Sequence, residues 1–374
     1  MKFFKKNSNI NNKKILFFCP AIANGGLEKT LSIYLNYLSK YNNITLVTNT
    51  NNIKRLASIN KNTKIINPKN IFFLKHRLLN NLYCIFLLLK KTNSENIIFS
   101  MQDHFLLLLL KYFGLKNKLV IRTMSAIYND RNTSESLQLK KYLFLKKFIM
   151  NFYKYADLVI TFSMNNKFYL KRVNKVKNVQ VIYNYFKKYN GKKKIKKTYN
   201  IFFIGRLVDD KDPIFFLKNC ITLTKNYNIK IHIIGNGDNF LTLKSISEKY
   251  HNIIKLYGFN ESPLKKYNKI IDLLCVTSKY DGTPNILGEA MSYKIPVLAP
   301  NKVGLSNLLL SNGRFGYLYK QGNGASFRKN IINIITNYGQ AITKAKRGYE
   351  GLDRFDKKNT LFRLNKVIND ISIK

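Results

Sequence analysis

The chain alternates short apolar runs with longer stretches whose apolar residues recur at helical spacing. Ile15–Cys19 is a compact apolar run that stops at Pro20, and Asn24, Gly25 and Gly26 follow. Beyond the glycines, Leu27, Leu31, Tyr34, Leu35 and Leu38 fall at i, i+4, i+7, i+8 and i+11, which is one face of a helix. Ile44–Thr48 then reads as a strand. Strand, glycine loop, helix and strand in that order open a parallel α/β domain. The pattern predicts further strands at Ile97–Phe99, Leu119–Arg122, Leu158–Thr161 and Val179–Tyr183, with helices over Phe105–Phe113 and Leu143–Tyr155.

Between Phe186 and Thr198 the pattern lapses. Lys187, Lys188, Lys192, Lys193, Lys194, Lys196 and Lys197 surround Gly191, a block of like charge that reads as a linker. A second series follows. Strands are expected at Asn200–Ile204, Ile231–Ile234, Ile253–Tyr257, Leu273–Val276 and Pro296–Ala299, and helices at Phe215–Leu223, Phe240–Tyr250, Leu264–Ile270 and Ile286–Met291. At 374 residues the chain has room for two domains, and the expected division is 1–190 and 191–374, with the last helix packing back on the first. This is an α/β chain of two Rossmann-like domains with parallel sheets, whose active site is expected in a cleft facing the carboxyl ends of the strands.

Composition changes this picture little. Hydrophobic residues make up 45% and aromatics 13%, which excludes wholesale disorder. A formal net charge of +46 first suggests nucleic acid or an anionic membrane as partner. The abundance of Lys, Asn and Ile beside an absence of Trp is equally what an AT-biased genome would produce. Cys19, Cys84, Cys220 and Cys275 are dispersed, without metal-ligand spacing, and read as buried thiols of a cytoplasmic protein. The apolar runs Leu82–Leu89 and Phe105–Leu110 fall well short of the ~20 residues that span a bilayer. The N-terminal lysines before Ile15, with Ala21–Ala23 after, imitate a secretory leader, but Pro20 breaks the apolar stretch and the residues beyond complete the strand–loop–helix unit.

Three segments carry candidate chemistry. Gly25 and Gly26 open the first helix, where main-chain N–H groups attract an anion or hydroxyls; the same residues also suit a plain strand-to-helix turn. Gly205-Arg206-Leu207 follows a strand, with Lys211 four residues on, and two cations at a strand end suit a diphosphate whose charge grows as a bond to it breaks. The segment Ser278–Met291 sets Asp281 on a loop and Glu289 in the first turn of a helix. The Gly282–Leu287 amides between them can cradle phosphate, and either carboxylate can accept from sugar hydroxyls. Glu289 would equally complement the helix dipole.

Together these residues resemble the GT-B glycosyltransferases of the large retaining family 4, which transfer sugars from nucleotide-sugar donors. The resemblance runs from Gly25, Gly26, Leu27 and Glu28 through Ala156–Ser163, Val181–Asn184, Gly205–Asp212, Ile234–Gly237 and Tyr257–Phe259 to Asp281–Glu289 and Pro296-Val297. It implies that Arg206 and Lys211 bind the donor diphosphate, that Glu289 holds the ribose and that Asp281 contacts the transferred sugar. Gly205, Gly237 and the amides of Asn285, Ile286 and Leu287 would line the donor, and Gly25 and Gly26 would leave space beside diphosphate and acceptor. Asp103, His104 and a cleft-facing Arg122 are candidates for acceptor binding, with a structural role also open for His104.

The resemblance implies no metal and no cofactor besides the UDP- or GDP-sugar substrate, and Asp210-Lys211-Asp212 reads as solvated. The expected reaction is front-face displacement with retention, in which the departing diphosphate helps deprotonate the acceptor. The family's paired glutamates are here Asp281 and Glu289. Its helix-ending glycine is Lys294, straining a left-handed cap by roughly 1 kcal/mol, and a later acid is Asn307.

The expectation is a cytoplasmic sugar transferase of surface polysaccharide, lipopolysaccharide or glycolipid assembly, acting on a glycan or lipid-linked acceptor. It would be peripheral at the inner membrane face, held through Met1–Lys14 and Tyr142–Phe152 rather than bound to nucleic acid. A basic nucleic-acid-binding protein, a sugar-nucleotide epimerase and an inactive transferase subunit are the alternatives.

Overall fold

The computed structural model describes residues 12–22, 26–51, 59–123, 148–189 and 197–373. They form two compact units: Met1–Asn184 together with Lys358–Lys374, and Tyr185–Lys357. Gly25, most of Met1–Lys14 and residues 142–147 of the second basic-aromatic stretch lie outside the described residues.

The first unit is built on seven parallel strands: β1 (Lys14–Phe18), β2 (Asn43–Val47), β3 (Thr63–Ile66), β4 (Ile97–Ser100), β5 (Lys118–Arg122), β6 (Leu158–Thr161) and β7 (Val179–Val181). Their order across the sheet is β3-β2-β1-β4-β5-β6-β7. β1 sits at the reversal point, with Ile15 in register with Ile44 on one side and Ile97 on the other. Parallel strands covered on both faces need unbroken apolar runs, and β4 and β6 are buried at every position. Alternate side chains feed two cores. Ile15 and Phe17 join Leu31, Tyr34, Leu35 and Leu38 of the helix Gly26–Leu38, while Leu16 and Phe18 join Cys84, Leu88, Leu107 and Leu108. Phe17 stacks on Phe99 with ring centroids 4.6 Å apart.

The closing helix Lys357–Ile373 completes the first of these cores through Leu361, Leu364, Ile368 and Ile371, and Lys13 Nζ donates to Asn369 Oδ1 at 3.1 Å. The division between the units falls at Asn184, not at the expected residue 190. The reason is aromatic. Phe186 lies against Gly288, where a Cβ would stand 2.4 Å from the ring, and Tyr189 stacks on Tyr293 at 4.4 Å while its N–H donates to the Ser292 carbonyl. Charge density hid these two anchors inside an apparent linker.

The second unit has six parallel strands: β8 (Tyr199–Ile204), β9 (Ile229–Ile234), β10 (Ile254–Leu256), β11 (Leu273–Cys275), β12 (Val297–Pro300) and β13 (Tyr317–Tyr319), in the order β10-β9-β8-β11-β12-β13. Here β8 takes the place of β1, flanked by β9 and β11. Several elements were not expected: β3, the helices Arg77–Leu89 and Met164–Arg172, and, beyond β12, the strand β13 and the helices Gly324–Thr336 and Tyr338–Gly351. Met164–Arg172 buries only Asn166 and Leu170 and is set by its cap, Ser163 Oγ accepting from the Asn166 N–H at 3.2 Å. Of the expected helix Leu143–Tyr155, residues 148–151 are helical and Phe152–Tyr155 form a 3₁₀ turn.

Candidate active site

In an open α/β sheet, ligand-binding loops gather where the strand order reverses, at the carboxyl ends of the strands. In the second unit that place lies between β8 and β11, and the chain delivers Arg206, Lys211 and Asp281 there. The loop after β8 is held by the loop after β9. The Leu207 N–H donates to the Asn236 carbonyl at 2.9 Å, and the Asn239 N–H to the Leu207 carbonyl at 2.8 Å. The two loops approach so closely that a Cβ on Gly235 would stand 1.8 Å from the Gly205 carbonyl oxygen, and one on Gly237 2.7 Å from that of Leu207. Gly205 and Gly237 thus shape this edge through main chain alone. Arg206 is exposed at its rim.

Lys211 Nζ forms an ion pair with Asp281 Oδ2, and both side chains are mostly buried. This contact joins the loops of β8 and β11. Beside it, Thr277 Oγ1 donates to the Lys211 and Asp212 carbonyls, both at 3.0 Å, and the Lys279 N–H donates to the Asp210 carbonyl at 2.9 Å. Asp212 is not solvated as expected. It adopts a left-handed backbone (φ 50°), caps the helix Pro213–Thr224 by accepting from the Phe215 N–H, and pairs with Lys279 Nζ at 3.3 Å. Gly304 (φ 52°) closes the far side, where a Cβ would lie 2.4 Å from the Gly282 carbonyl oxygen. Thr277, Lys279 and Gly304 were not read as site residues. A lone threonine, lysine or glycine after a strand carries no signal until the loops are brought together.

The helix bearing Glu289 runs Asn285–Met291, one residue earlier than expected. Glu289 therefore lies in the second turn, partly buried, and no acid stands in the first. The Leu287 N–H is occupied, donating to the Pro284 carbonyl at 2.9 Å, which leaves Asn285 and Ile286 at the opening of the helix. The Tyr293 phenol is pushed up by burial first, then by Tyr189, with a smaller contribution from the Glu289 carboxylate. At the other end the helix closes as a Schellman motif. The Ile295 N–H donates to the Ala290 carbonyl at 3.1 Å and the Lys294 N–H to that of Met291 at 3.0 Å, with Lys294 at φ 57°. The lysine is held there by Nζ standing 4.5 Å over the Tyr349 ring. Asn307 is exposed on the short helix Ser306–Leu309.

The corresponding edge of the first unit lies between β1 and β4. Asp103 follows β4 in a left-handed conformation (φ 53°), and its carboxylate pairs with the Arg77 guanidinium. His104 Nδ1 lies 2.7 Å from Ser100 Oγ, and burial lowers its pKa to about 4, so the ring is neutral near pH 7. Gly26 begins the helix Gly26–Leu38. Arg122 departs from expectation. It is 1% exposed and does not face an open cleft. Its Nη2 donates to Asn184 Oδ1 at 3.1 Å and the guanidinium lies 5.8 Å from the Tyr34 ring centroid, while among the described residues Nε and Nη1 have no hydrogen-bond partner. Burial pulls its pKa down. All four cysteines are buried free thiols, Cys84 pushed up to about 12 by burial, which makes none of them a thiolate nucleophile. Among the described residues no group of three or more His, Cys, Asp or Glu side chains is gathered as metal ligands.

Comparison with known proteins agrees with this fold. The profile of the family described as Glycosyl transferases group 1 matches residues 186–351, the stretch that contains Arg206, Lys211, Asp281 and Glu289. The chain is 29% identical over 224 residues to an uncharacterized glycosyltransferase of Methanocaldococcus jannaschii, covering 54% of this chain and 53% of that protein. It is 22% identical over 343 residues to the GalNAc-alpha-(1->4)-GalNAc-alpha-(1->3)-diNAcBac-PP-undecaprenol alpha-1,4-N-acetyl-D-galactosaminyltransferase of Campylobacter jejuni, covering 86% of this chain and 92% of the relative. Among solved structures, Anabaena Alr3699/HepE in complex with UDP and glucose superposes with a TM-score of 0.75 at 17% identity, over 96% of this chain and all of that one. Residues 186–351 therefore match a glycosyl transferases group 1 domain, within a chain of the GT-B fold class that spans about half the length of the first of these relatives.

Proposed function

We propose that the chain transfers a sugar, with retention of anomeric configuration, from a UDP- or GDP-sugar to a glycan or lipid-linked acceptor in surface polysaccharide or glycolipid assembly, in the manner of family 4. The observation that carries this is the convergence of Arg206, Lys211 and Asp281 at the carboxyl edge where β8 and β11 part. Arg206, exposed at the rim, takes the diphosphate, and Lys211 stands ready to share its charge between phosphate and Asp281. The ion pair compensates for the shorter acid by fixing it, so that the carboxylate is positioned before the transferred sugar arrives. Glu289, one turn into its helix, holds the ribose hydroxyls.

As the sugar–phosphate bond breaks, negative charge grows on the diphosphate, and two preset cations stabilise it without reorganisation. The leaving oxygen accepts the acceptor's proton, so no separate base is needed, and the donor set requires no metal. The edge of the first unit that bears Asp103 and His104 receives the acceptor, His104 as a neutral hydrogen-bonding ring. The Campylobacter relative, named for an undecaprenol-linked substrate, favours a lipid-linked acceptor and peripheral work at the inner membrane face. Among the described residues no helix is long and apolar enough to cross a membrane.

A thermal-shift screen of UDP-, GDP- and ADP-sugars, with Glu289→Ala as control, tests the donor reading. Stabilisation by one nucleotide sugar that disappears in the variant is the expected result; no shift with any donor overturns it. NMR of the product anomer tests retention.

A further inference from the structure

The helix Arg77–Leu89 is turned the wrong way for a soluble surface. Its inward face carries Asn80 and Asn81 beside Cys84, Ile85 and Leu88. Its outward face carries Leu78, Leu79, Leu82, Phe86 and Leu89, all exposed, with Leu78 63% and Phe86 51% open. At 3.6 residues per turn these five fall within one sector of about 100°, on a rod roughly 20 Å long. The inward asparagine has an explanation. Asn80 Nδ2 donates to the Pro20 carbonyl at 2.9 Å, and its Oδ1 accepts from Asn49 Nδ2 at 2.7 Å. Among the described residues nothing covers the outward leucines, and a contiguous apolar stripe of this kind marks an interaction surface. Phe72, 66% exposed on the preceding turn, extends it.

The charges around the stripe identify the occupant. From residue 69 to residue 91 the chain has no acid, while Lys69, Lys75, Lys90 and Lys91 flank the apolar residues in sequence. Lys90 Nζ stands 4.3 Å over the Phe86 ring, so its stem lies along the stripe with the charge at its margin. An apolar face whose own segment carries cations and no acid complements an anionic lipid surface, into which a helix lies without spanning. The helix also has a fixed link to the acceptor edge, since Arg77, at its first turn, holds the Asp103 carboxylate.

We propose that the outward face of Arg77–Leu89, with Phe72, docks on the anionic face of a lipid bilayer and brings the Asp103–His104 edge to a lipid-linked acceptor. This rests on the reading of the acceptor as lipid-linked, and it names the surface that the N-terminal basic segment was expected to supply. It makes the first unit the membrane-facing half.

The chain has no Trp, so a single introduced indole reports its own environment. Leu82→Trp and, as control, Leu241→Trp on the second unit are mixed with vesicles of phosphatidylcholine alone or with about 30 mol% phosphatidylglycerol. The expected result is a blue shift and quenching by brominated lipid for Leu82→Trp with anionic vesicles only, and no change for Leu241→Trp. Flotation of the Leu82→Glu, Phe86→Glu variant should show about tenfold weaker binding or more, and wild-type binding should weaken at about 0.5 M salt. An indole at position 82 that stays in water, or a double variant that floats like wild type, overturns the proposal. So does a wild type that is dimeric while the double variant is monomeric, which would make the occupant a second copy. Thermal shift with the nucleotide sugar, measured on the same variants without lipid, reports the donor reading separately.

Discussion

The two units share one plan, a parallel sheet reversing about its first strand, yet they present different surfaces. Sixteen of the twenty-two large hydrophobic side chains exposed among the described residues belong to the first unit, and six to the second. The second unit spends its carboxyl edge on polar loops locked by main-chain bonds, by glycine contacts at Gly235, Gly237 and Gly304, and by the Lys211–Asp281 and Lys279–Asp212 pairs. The first unit leaves an apolar stripe exposed and buries an arginine, Arg122, with two of its nitrogens unpartnered among the described residues. A nucleotide diphosphate is small, charged and constant in shape, so its site can be rigid. An acceptor with a lipid tail demands surface as well as a site.

The sharpest way to break that contrast is to disable each half separately. Arg206→Ala removes a cation from the developing diphosphate charge, and kcat/KM should fall by about 10²–10³-fold, while vesicle binding stays at the wild-type level. Loss of both together would mean that the halves do not divide the work.

A smaller effect follows from His232, a buried residue of β9. Its ring lies between Tyr257 Oη and Asn200 Oδ1, each at 2.9 Å, and stacks on Phe202. Burial first, then Lys255 and Lys230, lowers its pKa to about 4. The unfolded ring titrates near 6.5, so the unfolded state binds the extra proton between these values. Stability is therefore complete above about pH 6.5, declines as pH falls to about 4 and levels off below, a loss on the order of 2–3 kcal/mol. Denaturant melts of His232→Asn against wild type across that range should show a flatter profile in the variant. A parallel profile would remove His232 as the cause.

The smallest effect concerns Lys294. Replacing it with glycine relieves the left-handed cap at φ 57° but gives up the contact with Tyr349. A gain of about 1 kcal/mol or less in the melting of the second unit is expected, with activity unchanged. Destabilisation would show that the cation–aromatic contact outweighs the strain.

Legibility in the sequence follows the same division. The strands β1, β4, β5, β6, β8, β9 and β11 were readable because a parallel strand buried on both faces must be an apolar run whatever surrounds it. Asp281, Glu289, Arg206 and Lys211 stood out as candidates because carboxylates and cations at strand ends in glycine-rich loops are an unusual local combination. Arg122 was misread as open because sequence position places it at a strand end without saying which way that end is covered. The Phe186–Tyr189 anchors were lost among lysines, since pairing with Gly288 and Tyr293 is a long-range fact.

The sequence by itself determined the alternation, the two sheets' apolar strands and even the strained cap at Lys294, because each depends on neighbours within a few residues. Only the tertiary structure decided that Lys211 pairs with Asp281, that Asp212 is a cap and that the leucines of Arg77–Leu89 face outward. A periodic helix has two faces, and which one is buried is settled by what packs against it. Here Cys84, Ile85 and Leu88 entered the core beside Asn80, which bonds to Pro20 and Asn49, and Leu78, Leu79, Leu82, Phe86 and Leu89 were left outward.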